Sequence, residues 1–432
     1  MVIKDINGEV LNTLPKKGTE ILLDKEAIEV VEKIVREVMF RGDDALIEMA
    51  KKFDDAPENF SLKVSEEEFK EAERIIENDE ELKEIVNNFL VMAGRVEKFH
   101  RKQLRKLNLS GKWITKTTGK VGQVIVPVEK VCVYVPGGRA IYPSTLIMNT
   151  IPAKVAGVKE IFVATPSKKG KVSPVILYLC KKLGINEVFK VGGASAVASF
   201  AFGTQTIPKA DMIVGPGNKY FILAKRLLSG IIGIDMLPGP SEIAVILDHG
   251  NSYHISLDVL SQLEHDPDSN GYVISTNELL LEDIREKTIE TIKEAERKEI
   301  LSSSSKNLFF IKVDSIEEGF DIVNKIAPEH LEVIVEGISY KNIHKFVKNA
   351  GTVLIGEHTS TVLTDYIAGP NHVLPTGSTA RFSSPLGVYN FVKFYNFAQW
   401  TKKELKKDKT IVSKLARYEG LEIHAQAVEK RT

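Results

Sequence analysis

Between residues 130 and 355 short β-rich runs alternate with helix-patterned stretches, and this alternation constrains the fold more than any other feature. The runs at 131–135, 160–164, 187–191 and 212–214 end in Pro-Gly or Gly-Gly turns. A second series follows at 243–247, 272–275, 308–313, 332–335 and 352–355. Strands alternating with helices read as βαβ units around a mostly parallel sheet. A chain of 432 residues also exceeds what one compact core holds, so two α/β units are expected.

The flanks read differently. Residues 1–20 form a short arm interrupted by Pro15 and Gly18. Residues 25–53 predict a helix with Ile28, Val31, Ile34, Val35 and Val38 on one face. Arg41-Gly42-Asp43-Asp44 breaks it, and Asp43 or Asp44 is a candidate cap for the next helix. Residues 65–107 are helical and so highly charged that most of that surface is expected to be solvated. From 386 to 432 the pattern is helical, aromatic and basic, as in a separate C-terminal tail.

Charge narrows the function. Lys+Arg and Asp+Glu both number 58, so there is no electrostatic case for nucleic acid or an anionic membrane as the main partner. No apolar run approaches the ~18 residues of a membrane span, and Lys4-Asp5 comes too early for a signal peptide. Cys132 and Cys180 make no disulfide framework. A cytoplasmic enzyme is the expectation.

The nine histidines are few, and several sit beside carboxylates or turn residues. Gln262 and His265 share the run Leu260-Ser261-Gln262-Leu263-Glu264-His265, where i,i+3 spacing puts both on one helical face. A lone Gln-x-x-His is also an ordinary helix-surface pair. Asp365 and His372 flank Gly369-Pro370-Asn371, and His424 lies near the C-terminus. Glu329-His330 follows Pro328 at a helix–strand junction, pairing a carboxylate with an imidazole that titrates near neutrality. N and O ligands scattered around a Glu/His pair suggest metal-assisted chemistry.

Gly-rich turns supply the other half of the argument. Val191-Gly192-Gly193-Ala194 and Val214-Gly215-Pro216-Gly217-Asn218 each join a strand to a helix. With Tyr134-Val135-Pro136-Gly137-Gly138 they would line the carboxyl ends of three parallel strands, where open α/β sheets bind ligands. Neither completes G-x-G-x-x-G, because Tyr220 stands at the third glycine, so nucleotide binding would take a nonstandard mode. Cys132, inside Val131-Cys132-Val133, and Cys180, beside Leu179, read as core residues rather than nucleophiles. Three classes remain open on these residues: a zinc-dependent, NAD-linked dehydrogenase, a zinc hydrolase using Glu329 on water, and a non-catalytic oligomeric binding protein.

Eight runs, in order, resemble the histidinol dehydrogenase family. They are the three Gly-rich turns already quoted, Gly239-Pro240-Ser241-Glu242, Ser261-Gln262-Leu263-Glu264-His265, Pro328-Glu329-His330-Leu331, Asn371-His372-Val373-Leu374-Pro375 and Tyr418-Glu419-Gly420-Leu421-Glu422-Ile423-His424. The resemblance implies oxidation of L-histidinol to L-histidine through L-histidinaldehyde, with zinc and NAD as cofactors, at the last step of histidine biosynthesis. Gln262, His265, Asp365 and His424 would hold the metal, which anchors substrate rather than activating water. His330 would be the general base and Glu329 the activator of water for the second oxidation. Ser241, His372 and Glu419 would contact substrate together with His330 and the metal-ligand set. Tyr134, Ser195 and Asn218 would contact NAD, with Ser195 standing where some members carry Gln. Pro238 stands where Ala is commoner.

The architecture so implied is two incomplete Rossmann-like domains with parallel-rich sheets, a small N-terminal arm and a helical C-terminal tail. The first domain would be discontinuous, 21–130 plus 242–385, and the second, cofactor-binding, would be 131–241. The tail, 386–432, would complete the partner's site in a homodimer, carrying Glu419 and His424 across. The basic residues from Lys402 to Lys409 are then tail surface.

Overall fold

A computed structural model describes residues 3–5, 23–137 and 141–431. Most of the expected arm, 1–20, and Gly138 of the first Gly-rich turn lie outside the described residues; only the strand β1 (Ile3–Asp5) remains of the arm.

The N-terminal helices are α1 (Lys25–Arg41), α2 (Asp43–Phe53), α3 (Glu66–Glu77) and α4 (Glu80–Lys106). Gly42, at φ +55°, makes the bend between α1 and α2. No side chain caps α2. Asp43 does not serve as the cap expected of it, because its carboxylate accepts from the Thr204 and Thr206 hydroxyls instead. α3 starts at a reciprocal Ser65/Glu68 capping box. A hairpin of β2 (Gly111–Lys116) and β3 (Lys120–Pro127) comes next.

The first α/β series runs β4 (Lys130–Tyr134), α5 (Pro143–Ala156), β5 (Glu160–Thr165), α6 (Pro174–Lys182), β6 (Val188–Lys190), α7 (Gly193–Phe202), β7 (Met212–Val214), α8 (Lys219–Leu228) and β8 (Gly233–Ile234). The second runs β9 (Glu242–Leu247), α9 (Ser252–Leu263), β10 (Asn270–Ser275), α10 (Glu278–Glu294), α11 (Lys298–Ser304), β11 (Leu308–Lys312), α12 (Ile316–Ile326), β12 (His330–Ile334), β13 (Thr352–Ile355) and α13 (Thr361–Tyr366). β14 (Val392–Gln399), α14 (Lys402–Tyr418) and α15 (Glu422–Glu429) close the chain.

Both series make all-parallel sheets, in the orders β6-β5-β4-β7-β8 and β1-β11-β10-β9-β12-β13. Counted within its own series, each reads 3-2-1-4-5. That is the Rossmann order without its sixth strand, so the two units share a topology that their sequences do not display. Strands of this kind are buried on both faces, which is why β9 is buried at every position.

The N-terminal helices share their cores with the 131–241 unit, and one of those cores also takes in Val373, Leu386 and Phe391. Val31 and Val35 of α1 share a core with Cys132, Tyr134 and Phe200, and Ile76, Val86 and Val96 share one with Val131, Val133 and Leu146. They pack on the helices of that unit, α1 against α7 and α8, α3 against α6, and α4 against α5 and α6. The C-terminal segment is not purely helical, since β14 pairs antiparallel with β3 in a third sheet, β14-β3-β2.

Candidate active site

The residues singled out around Glu329-His330 meet at the amino ends of β9 and β12. α12 stops at Ile326 because Ala327 turns left-handed, φ +53°, and Pro328 cannot continue a helix. The chain then enters β12 at His330, paired with Ile243 on one side and Thr352 on the other. Gly351 permits this, because a Cβ there would lie 2.5 Å from the Glu329 carbonyl oxygen.

His330 is only 3% exposed, and among the described residues neither ring nitrogen has a hydrogen-bond partner. Its imidazole sits between two carboxylates, Nδ1 3.7 Å from Glu329 Oε2 and Nε2 3.9 Å from Asp365 Oδ1. Burial pulls its pKa down to about 3. Burial also pushes Glu329 well above the carboxylate range, with Glu242 and Asp365 adding to the rise against the backbone hydrogen bond from Glu242, and lifts Asp365 to about 6. Glu329 Oε2 accepts from the Glu242 N–H at 3.0 Å, which fixes the carboxylate against the start of β9.

Gln262 and His265 come from the end of α9, whose other end is capped by the Asn251 side chain. Only Gln262 lies on the helix. His265 falls past the C-cap Glu264, its N–H donating to the Gln262 carbonyl at 3.3 Å, so the expected helical-face pair is a last turn plus the bend after it. The Gln262 amide donates to Asp365 Oδ2 at 3.4 Å, leaving its own Oε1 buried without a partner. His265 Nδ1 lies 3.3 Å from the Ser241 hydroxyl at the open mouth of the cluster, and the surrounding protein lowers its pKa.

Asp365 and His372 are placed by α13 and the loop after it. Gly369, φ +105°, packs its α-carbon beside the Arg95 carbonyl, and Arg95 Nη1 donates to the Ile367 carbonyl at 3.3 Å. The Asn371 amide donates to the Met148 carbonyl of α5 at 2.6 Å. These bonds join the 242–385 unit to the helices of the other unit. His372 Nδ1 donates to the Asp365 carbonyl at 2.9 Å, which leaves Nε2 as the lone-pair nitrogen. Burial lowers His372 to about 4.

A second cluster gathers at the carboxyl ends of β4, β6 and β7. The Tyr134 hydroxyl accepts from the Gly193 N–H at 3.1 Å, and its ring stacks on Phe221 at 4.0 Å. Ser195 donates to the Gly192 carbonyl at 2.7 Å, and the Asn218 side chain caps α8 by accepting from the Tyr220 and Phe221 N–H groups. Gly215, φ +117°, is pressed so close to the Tyr134 carbonyl that a Cβ would reach it at 2.3 Å. A buried ion pair of Lys225 and Asp235 holds that turn from below. Asp235 accepts from the Gly215 N–H and Lys225 donates to its carbonyl, both at 2.8 Å. The turns singled out in the sequence thus lie together, and the loop after Asp235 leads to Ser241 of the first cluster. Cys132 and Cys180 are fully buried, and burial raises both thiols, so neither is a poised nucleophile.

Two residues stay apart. Glu419, at the end of α14, and His424, on α15, are exposed, and no hydrogen bond ties either to the cluster among the described residues. Around them Leu415, Tyr418, Leu421 and Ile423 present bare apolar surface. Among the described residues no three His, Cys, Asp or Glu side chains are arranged to hold a metal within the single chain. One neighbour was not singled out in the sequence. Glu242 is buried, its Oε2 has no partner among the described residues, and burial lifts its pKa to about 7. Its signal is its place as the last residue of Gly239-Pro240-Ser241-Glu242.

Two Rossmann-order sheets, with a buried imidazole–carboxylate cluster on one and Gly-rich turns on the other, define an α/β enzyme with the layout of a dehydrogenase. The sequence profile of histidinol dehydrogenase matches residues 19–432. The histidinol dehydrogenase of Lactococcus lactis is 41% identical over 99% of this chain and 98% of its own length. That of Clostridium acetobutylicum is 43% identical over 94% and 92%. A solved histidinol dehydrogenase from Elizabethkingia anophelis superposes with a TM-score of 0.89 at 32% identity, covering 99% of this chain and 96% of that one. The chain belongs to the histidinol dehydrogenase family.

Proposed function

We propose that the chain oxidises L-histidinol to L-histidine in two NAD-linked steps through L-histidinaldehyde, with zinc at the site. The observation that carries this reading is the gathering of half-buried Asp365 with buried Gln262, Glu329 and His330, where Gln262 Oε1 and both His330 ring nitrogens lack partners among the described residues. Buried polar atoms without partners are costly, and these are of the types that bind a metal and an amino-alcohol substrate.

Gln262, His265 and Asp365 fit a zinc shell of N and O donors, and His424 from a second copy of the chain would complete it. Zinc, when bound, would supply positive charge that anchors the substrate's imidazole and amine and draws Asp365 and Glu329 towards their ionised forms. His330, held neutral by burial, takes the hydroxyl proton as hydride leaves the carbinol carbon for NAD. Glu329 and Asp365 flank the ring and stabilise the imidazolium that forms. Glu329 then accepts a proton from the water that adds to the aldehyde, and a second hydride leaves the hydrate. The first oxidation yields one NADH and one proton, the second one NADH and two protons, and the water oxygen ends in the carboxylate. Ser241 and His372 Nε2 line the substrate side, with Glu419 of the second copy. Tyr134, Ser195 and Asn218 shape the turns on which the cofactor lies.

The test is NADH formation from limiting L-histidinol, with and without zinc chelation. Two NADH per histidinol, lost on chelation and restored by zinc, is the expected result. One NADH per substrate removes the hydration role of Glu329, and none at all removes the dehydrogenase reading.

A further inference from the structure

Beneath the candidate metal residues lies a separate buried polar contact that none of the chemistry above uses. Glu332, on β12, is 2% exposed, and its Oε1 accepts from both the N–H and the hydroxyl of Thr361, at 2.9 and 2.5 Å. Thr361 is the first residue of α13, and the preceding Ser360 donates its hydroxyl to Asp258 of α9. Glu332 Oε2 has no partner among the described residues. Asp258 and Ser360 also line a cavity of about 570 Å³ beside α9.

The register is informative. Asp258 stands four residues before Gln262 on α9, and Thr361 four before Asp365 on α13. Glu332 stands two after His330 on β12. Four residues on a helix and two on a strand return to the same face. Asp258, Thr361 and Glu332 are therefore each one repeat beneath a residue of the site, on the same element, with Ser360 just before Thr361. α13 has only six residues, too few to hold helical form unaided. Ser360 does not cap it with its own side chain, and the Glu332 carboxyl at its amino end takes that place.

We propose that Glu332, with Ser360 and Asp258, is a positioning cluster that sets Asp365 and Gln262 at the spacing zinc requires. The inference rests on the zinc reading above. Removal of Glu332 frees the amino end of α13, and Asp365 at its other end loses its fixed distance from Gln262. Burial, with Asp258 adding to it, raises the Glu332 carboxyl, so a neutral amide is a close substitute that still accepts from Thr361.

The experiment is competition for Zn²⁺ between the metal-free full chain and a chromophoric chelator, with a melting curve for each variant. Glu332→Ala is expected to weaken zinc by roughly 10–100-fold, the usual effect of losing a residue that orients ligands. Ser360→Ala should weaken zinc without lowering the melting temperature, and Glu332→Gln should bind close to wild type. If Glu332→Ala does not fold, the other two variants decide. Wild-type affinity in Ser360→Ala and in any folded Glu332→Ala overturns the inference while leaving the zinc reading intact. Glu332→Gln as weak as Glu332→Ala overturns the hydrogen-bond role. A wild-type chain that binds no zinc removes the metal reading, and this inference with it.

Discussion

Gly351→Ala tests whether the Glu329–His330 pair is placed by backbone packing. A Cβ at 351 would sit 2.5 Å from the Glu329 carbonyl oxygen and 3.3 Å from its carbonyl carbon and α-carbon. An ordinary carbon–oxygen contact starts near 3.3 Å, so the two strands must part by roughly 0.8 Å. They cannot do so freely, because Gly351 N–H donates to the Pro328 carbonyl and Thr352 N–H to that of Glu329, both at 2.9 Å. The strain falls on Glu329, which lies between those bonds, and on His330 next to it. Overpacking of this kind costs about 1–3 kcal/mol of stability. A displacement approaching 1 Å at reacting groups costs on the order of 10²-fold in rate, or about 2.7 kcal/mol of barrier. Steady-state NADH production should show kcat reduced by that order, with KM for NAD unchanged because the turns on the other sheet are untouched. Gly94→Ala is the control: it lies inside α4 with nothing within 4 Å of the added carbon. It should gain about 0.5–1 kcal/mol of stability and keep wild-type turnover. A Gly351→Ala enzyme with wild-type kcat would refute the reasoning.

Two further outcomes are expected. Glu242, lifted from 4.5 to about 7 by burial, contributes stability that is full below pH 4.5 and is lost as pH rises through 7. Denaturant unfolding of the metal-free chain should therefore show Glu242→Gln gaining about 2–3 kcal/mol relative to wild type between pH 5 and pH 8; a difference that does not change with pH would show that the carboxyl is ionised throughout. His424→Asn and the double variant Gln262→Ala/His265→Ala should each be inactive alone. Re-mixed as equal subunits they should recover about a quarter of wild-type turnover, because half the dimers carry one intact site. No recovery in verified heterodimers would rule out a shared site.

The parallel units were legible because doubly buried strands must be apolar along their length, and the alternation of 131–135, 160–164 and 243–247 with helices shows it directly. The third sheet was not. β2 is exposed at every position and β14 at six of eight, so neither carries the period-2 signal of a half-buried strand. Nor does an amphipathic helix name the surface it covers. The apolar stripe of α1 requires a partner, yet nothing in Val31, Val35 and Val38 states that α7, with Phe200 and Ala201, is that partner rather than a helix of the other unit.

The same division runs through the site. Residues of the candidate site were readable because their types are rare and their motifs ordered: Gln262, His265, Glu329, His330, Asp365 and His372 were all singled out and lie together, whereas Glu419 and His424 stay apart. The residues that hold the gathered ones in place were not. Glu332 reads as one more strand residue, Gly351 as a turn and Thr361 as an unremarked threonine, because their roles exist only once β12, β13, α9 and α13 are side by side. A carboxyl on a buried strand accepting two bonds from a helix end has no signature of spacing. Such supports act on rate through the position of other groups. Substitutions there should therefore damage the enzyme with no change in the residues that touch substrate, and a survey confined to the motifs would overlook them.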